Sequence, residues 1–145
     1  MTLLELVVAT AMLLVLATMA LPMARVKVKR DREIQLRWCL REMREAIDRY
    51  KDASDRGLIE VKVDSEGYPE SLEVLVEGVQ LAGKPDRKVR FLRRIPVDPM
   101  TGLADWNLRC IKDPPDSRFW CGENVFDVSS RSVGTALDDS NYSDW

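Results

Sequence analysis

The 145-residue chain carries 22 Lys and Arg against 24 Asp and Glu, so it is nearly neutral, and 46% of it is hydrophobic. It has no histidine, which excludes His-based catalysis and His-ligated metals, and three cysteines without a C-x-x-C spacing argue against zinc. Its charge is segregated: Arg25, Lys27, Lys29, Arg30 and Arg32 form one basic cluster, whereas residues 113–145 are rich in acids. A basic cluster on one helix flank, with no recognition motif beside it, points away from a nucleic-acid partner.

Residues 1–24, MTLLELVVATAMLLVLATMALPMA, form an apolar run broken by a single charge, Glu5. As a helix it reaches roughly 36 Å, enough to cross a hydrocarbon core of ~30 Å. A carboxylate inside such a span costs about 2.5–3.5 kcal/mol and calls for a specific partner. The α-amino group of Met1, presented by a second copy, is the nearest candidate. A secretory signal peptide would begin with basic residues, but the first one here is Arg25. An ordinary single-pass anchor fits the length and leaves Glu5 unexplained. The basic cluster that follows would, by the positive-inside rule alone, place that flank in the cytoplasm. It is also suited to anionic headgroups or acidic neighbouring surfaces.

Beyond the run the pattern stays helical and becomes amphipathic. Leu36, Leu40, Met43, Ile47 and Tyr50 draw one stripe, charged residues fill the other faces, and Ser54, Asp55 and Gly57 mark a stop after about Ala53. That stripe predicts a helix over 25–53 laid against a sheet. It is too short for a free coiled coil. Residues 58–63 alternate weakly, as in an edge strand. Gly67-Tyr68-Pro69 makes a turn, followed by a short helix over 70–76 with Ser71 as a candidate cap. Residues 91–102 hold Pro96 and Pro99, which exclude a central strand or a helix interior. Three short strands are predicted over 105–111, 119–121 and 125–129. Trp106, Leu108, Cys110, Trp120, Phe126 and Val128 supply the face that packs on the helix stripe.

Cys110 and Cys121 are a reasonable disulfide in an oxidising compartment, with two unpaired buried thiols as the alternative; Cys39 reads as a small packed side chain. The tail from Gly134 to Trp145 is polar and turn-rich. Asp138, Asp139 and Asp144 there could supply oxygens to calcium, and a solvated acidic tail is the alternative. No G-x-S-x-G and no phosphate-cradling glycine loop is present, so the chain is not expected to be an enzyme.

The opening MTLLELVVA resembles the mature N-terminus of type IV pilins and type II secretion pseudopilins, with Met1 in the position of the usual methylated Phe and Glu5 on the family's glutamate. Pro22, the Tyr68-Pro69 turn and the Ile95-Pro96-Val97-Asp98-Pro99 stretch are similar to family segments, the last closest to the major pseudopilin. The tail is similar to that protein's calcium loop, although Ser130-Arg131-Ser132-Val133 stands where the family has a Gly-rich approach with an aspartate.

The resemblance implies a pilin-like α+β fold. A transmembrane and filament-core helix over 1–24 would precede a periplasmic or extracellular domain over 25–145. Residue 1 would be the mature start left by a prepilin peptidase, and the domain would lie outside the inner membrane, against the positive-inside rule. Met1, Glu5 and Pro22 would serve assembly of a helical homo-oligomer. An assembly platform, an ATPase and minor pseudopilins would be its partners, and calcium its bound ion. A surface pilus for adhesion or motility is the alternative to a secretion pseudopilus.

Overall fold

The computed structural model describes residues 2–117 and 119–145. One helix, α1 (Leu3–Asp55), runs for 53 residues, roughly 80 Å. It contains no glycine, and Pro22 is its one helix-breaking residue. Thr2 caps its start: the threonine hydroxyl accepts from the Glu5 amide while the Glu5 carboxylate accepts from the Thr2 amide. Its end is set at Gly57, whose φ of +66° reverses the chain while the Gly57 and Leu58 amides donate to the Ser54 and Ala53 carbonyls.

The rest of the chain wraps the second half of this rod. A 3-10 turn (Val63–Ser65) and a short helix, α2 (Leu72–Glu77), lead into a hairpin of β1 (Val79–Leu81) and β2 (Lys84–Val89). A second antiparallel pair follows, β3 (Trp106–Arg109) and β4 (Asp127–Ser130), with Trp106 opposite Ser130 and Leu108 opposite Val128. A final 3-10 turn covers Tyr142–Asp144. The fold is α+β, with its strands in two separate two-stranded sheets.

The predicted stripe is the core. Leu36, Leu40, Met43, Ile47 and Tyr50 are all buried, joined on α1 by Cys39 and Ala46. They meet Leu72 and Leu75 of α2, Leu92, Trp106, Val125 and Val128. Burying a side chain such as Met43 stabilises by about 1.5–3 kcal/mol. Met43→Ala should therefore cost roughly 2–5 kcal/mol, the cavity included, read from the denaturation midpoint at unchanged slope.

Several expected boundaries move. Residues 58–63 form no strand; Ile59 makes a single bridge to Leu81, where the hairpin edge takes it in. The hairpin itself has no counterpart in the sequence reading, because Lys84–Val89 is exposed at nearly every position and shows no alternation. The first long strand stops at Arg109, where the Asp113 carboxyl accepts from the Cys110 amide and bends the chain away. Residues 119–121 form no strand: Phe119 is 86% exposed, and the Ser117 hydroxyl and Trp120 indole make local turn bonds instead of ladder bonds. Trp120 and Phe126 consequently lie outside the core, while Trp106, Cys110 and Val128 lie within it. Ser71 occupies the cap position of α2 without a side-chain bond.

Cys110 and Cys121 are bonded, with Cα atoms 6.0 Å apart. Closing a loop of that length stabilises by about 2–3 kcal/mol on the chain-entropy account. Reduction should lower the unfolding midpoint correspondingly while leaving the α1 core in place. Cys39 is free and buried; burial, then the neighbouring Glu42 and Asp98 charges, push its thiol above the usual cysteine range. It should resist thiol-directed labelling until the protein is denatured.

Candidate functional site: the exposed half of the helix and the C-terminal loop

Two regions hold the residues singled out from the sequence. The first is the N-terminal half of α1, whose side chains from 2 to 18 are all exposed. Leu3 is 85% exposed, and Leu4, Met12, Leu13, Leu14, Val15 and Leu16 are exposed as well. Burying those seven side chains would release on the order of 10–20 kcal/mol. The helix is long and apolar enough to cross a membrane, by length and composition.

Polar groups in this half are mostly turned inward on the helix. The Thr10 hydroxyl donates to the Leu6 and Val7 carbonyls, and the Thr18 hydroxyl donates to Val15, so neither needs water. Glu5 bonds weakly back to Thr2, at 3.4 and 3.5 Å. That contact leaves its charge without a cation among the described residues. Met1, the expected partner of Glu5, lies outside the described residues. Pro22 is exposed and sits inside an unbroken helix. Its missing N–H removes the bond that would have reached the Thr18 carbonyl, a local weakness at the end of the apolar half.

The second region is the C-terminal loop, held to α1 by three helix side chains on its tail-facing side. The Glu33 carboxylate accepts from the Leu137 amide and from the Tyr142 hydroxyl, both at 2.9 Å. The Arg37 guanidinium lies 4.1 Å over the Trp145 ring and 3.5 Å from Asp138. Arg44 donates to the Asp127 carboxylate and to the Val128 and Trp145 carbonyls. Trp145 also donates its indole N–H to the Ser140 hydroxyl and meets Tyr142 edge-on. From sequence, Arg37 and Arg44 are among the charges that fill the other faces of the helix, and Glu33 is not singled out. Their one available signal was spacing: Glu33 precedes Leu36 by three and Arg37 precedes Arg44 by seven, which places them beside the buried stripe.

Tyr142 is buried, and its phenol is pushed up to about 12, first by burial, then by its hydrogen bond to Glu33 and by the charges of Glu33 and Asp138. A folded-state value above the ordinary one means the folded protein holds this proton more tightly than the unfolded chain. The resulting stability is complete below about pH 10 and is lost as pH rises towards 12. Tyr142→Phe should flatten that part of an alkaline stability profile, measured by unfolding between pH 9 and roughly 12.

The three tail aspartates do not converge. Asp138 accepts from the Ser140 amide and hydroxyl, which with Arg37 hold its carboxyl below the usual range. Asp139 is exposed at φ +64°, and Asp144 bonds Asn141 and Ser143. Among the described residues, the one trio of acid or cysteine ligand atoms lying mutually within 4.8 Å is Cys110, Asp113 and Cys121, whose sulfurs are joined to each other. As arranged, the loop is a latch packed on α1 through Glu33, Arg37 and Arg44.

No family model matches this chain, and comparison with curated proteins and with solved structures likewise gives no match.

Proposed function

We propose that the chain is a structural subunit that self-assembles through α1 into a helical, pilus-like filament, as the major pseudopilin of a type II secretion system does. The observation that carries this reading is the division of one continuous helix. Its second half is buried in its own domain, and its first half is exposed, apolar and marked by one carboxylate. Lipid would satisfy the apolar surface and leave the carboxylate without a counter-charge. A bundle of identical helices accounts for both, because the amine of one copy can meet Glu5 of the next.

In this reading the subunit waits in the inner membrane with residues 25–145 on the periplasmic side. A platform protein and an ATPase then move it into the growing filament, with minor pseudopilins as further partners. Pro22 gives the helix a place to loosen on the way. Calcium, with Asp138, Asp139 and Asp144 offering oxygens, is part of the same proposal, and no catalytic step is assigned. Electron microscopy of sheared surface and periplasmic fractions tests the proposal, together with mass spectrometry of the N-terminus. Filaments containing this chain and a methylated N-terminus are expected. A protein recovered solely as dispersed, unmodified monomer would sink the reading, and long surface fibres would favour the pilus over the pseudopilus.

A further inference from the structure

Just above the apolar half, α1 passes under the edge of its own head and leaves a cleft of about 580 Å³. Three cations line it from the helix: Arg25, Lys29 and Arg32. Their spacing of four and three places them on the face that carries Leu36, Leu40 and Met43 higher up. The stripe that holds the head together therefore turns basic where it emerges from beneath the head. Met100, Thr135 and Tyr142 form the opposite wall, and Val28 lies between the cations.

None of Arg25, Lys29 and Arg32 is in an ion pair among the described residues. Glu33, the acid one position beyond Arg32, is already occupied by the Leu137 amide and the Tyr142 hydroxyl. The height of the cleft is informative as well. Arg25 follows the last residue of the apolar run directly, and Arg32 stands about 10 Å farther along the axis. The headgroup layer of a bilayer leaflet is roughly 5–8 Å deep, so Arg25 and Lys29 fall within it and Arg32 can reach down to it.

We propose that this cleft binds the phosphate headgroup of an anionic phospholipid, with the guanidinium of Arg25 and the ammonium of Lys29 on the phosphate and Arg32 above them. Val28 and Met100 offer an apolar surface to the glycerol end of the acyl chains. The occupant is a lipid rather than soluble phosphate because the cleft opens at the level where the apolar run ends. The inference rests on residues 1–24 spanning a bilayer, and it does not depend on filament assembly. Lys27 and Arg30 of the same cluster do not line the cleft, which supplies an internal control of equal charge.

The test uses the full chain in nanodiscs of phosphatidylcholine containing a minor fraction of phosphatidylglycerol, with retained lipid counted by native mass spectrometry. Wild type is expected to retain phosphatidylglycerol in preference to phosphatidylcholine. Arg25→Gln with Lys29→Gln should cut that preference roughly 25-fold, about fivefold per cation, whereas Lys27→Gln with Arg30→Gln should change it less than about twofold. Equal losses from the two pairs would mean diffuse attraction and overturn the site. Loss of the preference in millimolar inorganic phosphate would make it a free-phosphate site and overturn the lipid assignment. Cross-linking between copies that depends on Arg25 and Lys29 in pure phosphatidylcholine would assign the cleft to an acidic neighbour instead. Failure of wild type to enter phosphatidylcholine discs at all would refute the membrane-spanning reading. Entry without any anionic preference would refute this inference alone.

Discussion

A Glu5→Ala variant is expected to enter the membrane, keep its folded head and yield no filaments, or at least tenfold fewer than wild type. Removing a carboxylate from a spanning helix eases insertion by about 2.5–3.5 kcal/mol, so a simple anchor would gain from the change. On the proposed reading, assembly would instead lose the pairing of Glu5 with a neighbour's amine, and an unpaired amine in a low-dielectric bundle is costly. The two readings thus predict opposite signs for the same substitution. Glu5→Gln refines the test, because it can still accept from the Thr2 amide while carrying no charge. If Gln behaves like Ala, the charge matters; if it behaves like wild type, the helix cap does. Filament counts in sheared fractions, normalised to membrane-inserted protein, separate these outcomes. Normal yield from the alanine variant would remove the pairing from the account.

The second large effect concerns the head. Asp98 is fully buried in the irregular segment between β2 and β3, where its carboxyl accepts from the Ser130 hydroxyl at 2.6 Å and from the Met100 amide at 2.7 Å. Ser130 is fully buried too, at the end of β4, so this one side chain ties the proline-bearing segment to the second sheet. The Trp106 indole adds a bond to the Pro96 carbonyl at 3.0 Å. Asp98→Ala orphans a buried hydroxyl and a backbone amide together, at about 1–3 kcal/mol each. A loss of roughly 2–5 kcal/mol is expected, with a fall in Tm on the order of 10 °C. Asp98→Asn should lose less, because it retains an acceptor for the Met100 amide and can donate to Ser130. A thermal melt of the full chain in detergent is sufficient, and an unchanged midpoint for the alanine variant would show that Asp98 does not anchor the segment.

What the sequence disclosed follows from which signals are local. The amphipathic stripe of α1 was legible because five apolar residues recur at helical spacing over fifteen positions, and all five are buried. The short helix after Tyr68-Pro69 and the irregular proline segment were legible for the same reason, being dictated by turn residues and by proline's missing donor. The β1–β2 hairpin was not. Its second strand, Lys84–Val89, faces water on both sides and owes its form to pairing with β1, a contact that composition does not announce. Residues 119–121 misled in the opposite way: Phe, Trp and Cys in a row read as strand, yet the bond to Cys110 and a run of local turns set their path.

The candidate site divides along the same line. Glu5 stood out because a charge in an oily run is conspicuous. The latch on the tail was hidden because Glu33, Arg37 and Arg44 look like ordinary surface charges until the chain end arrives a hundred residues later. The tail aspartates were recognisable as acids, but their spacing carried no information about where their oxygens point.

Among the described side chains of α1, the first buried one is Glu33, about thirty positions from the start. The α1 residues in the hydrophobic core run from Leu36 to Tyr50, all beyond that point. The folded body can therefore be carried from one solvent to another as finished cargo. On the proposed reading, whatever extracts the subunit would work against the apolar stem and would not have to melt or rebuild the head.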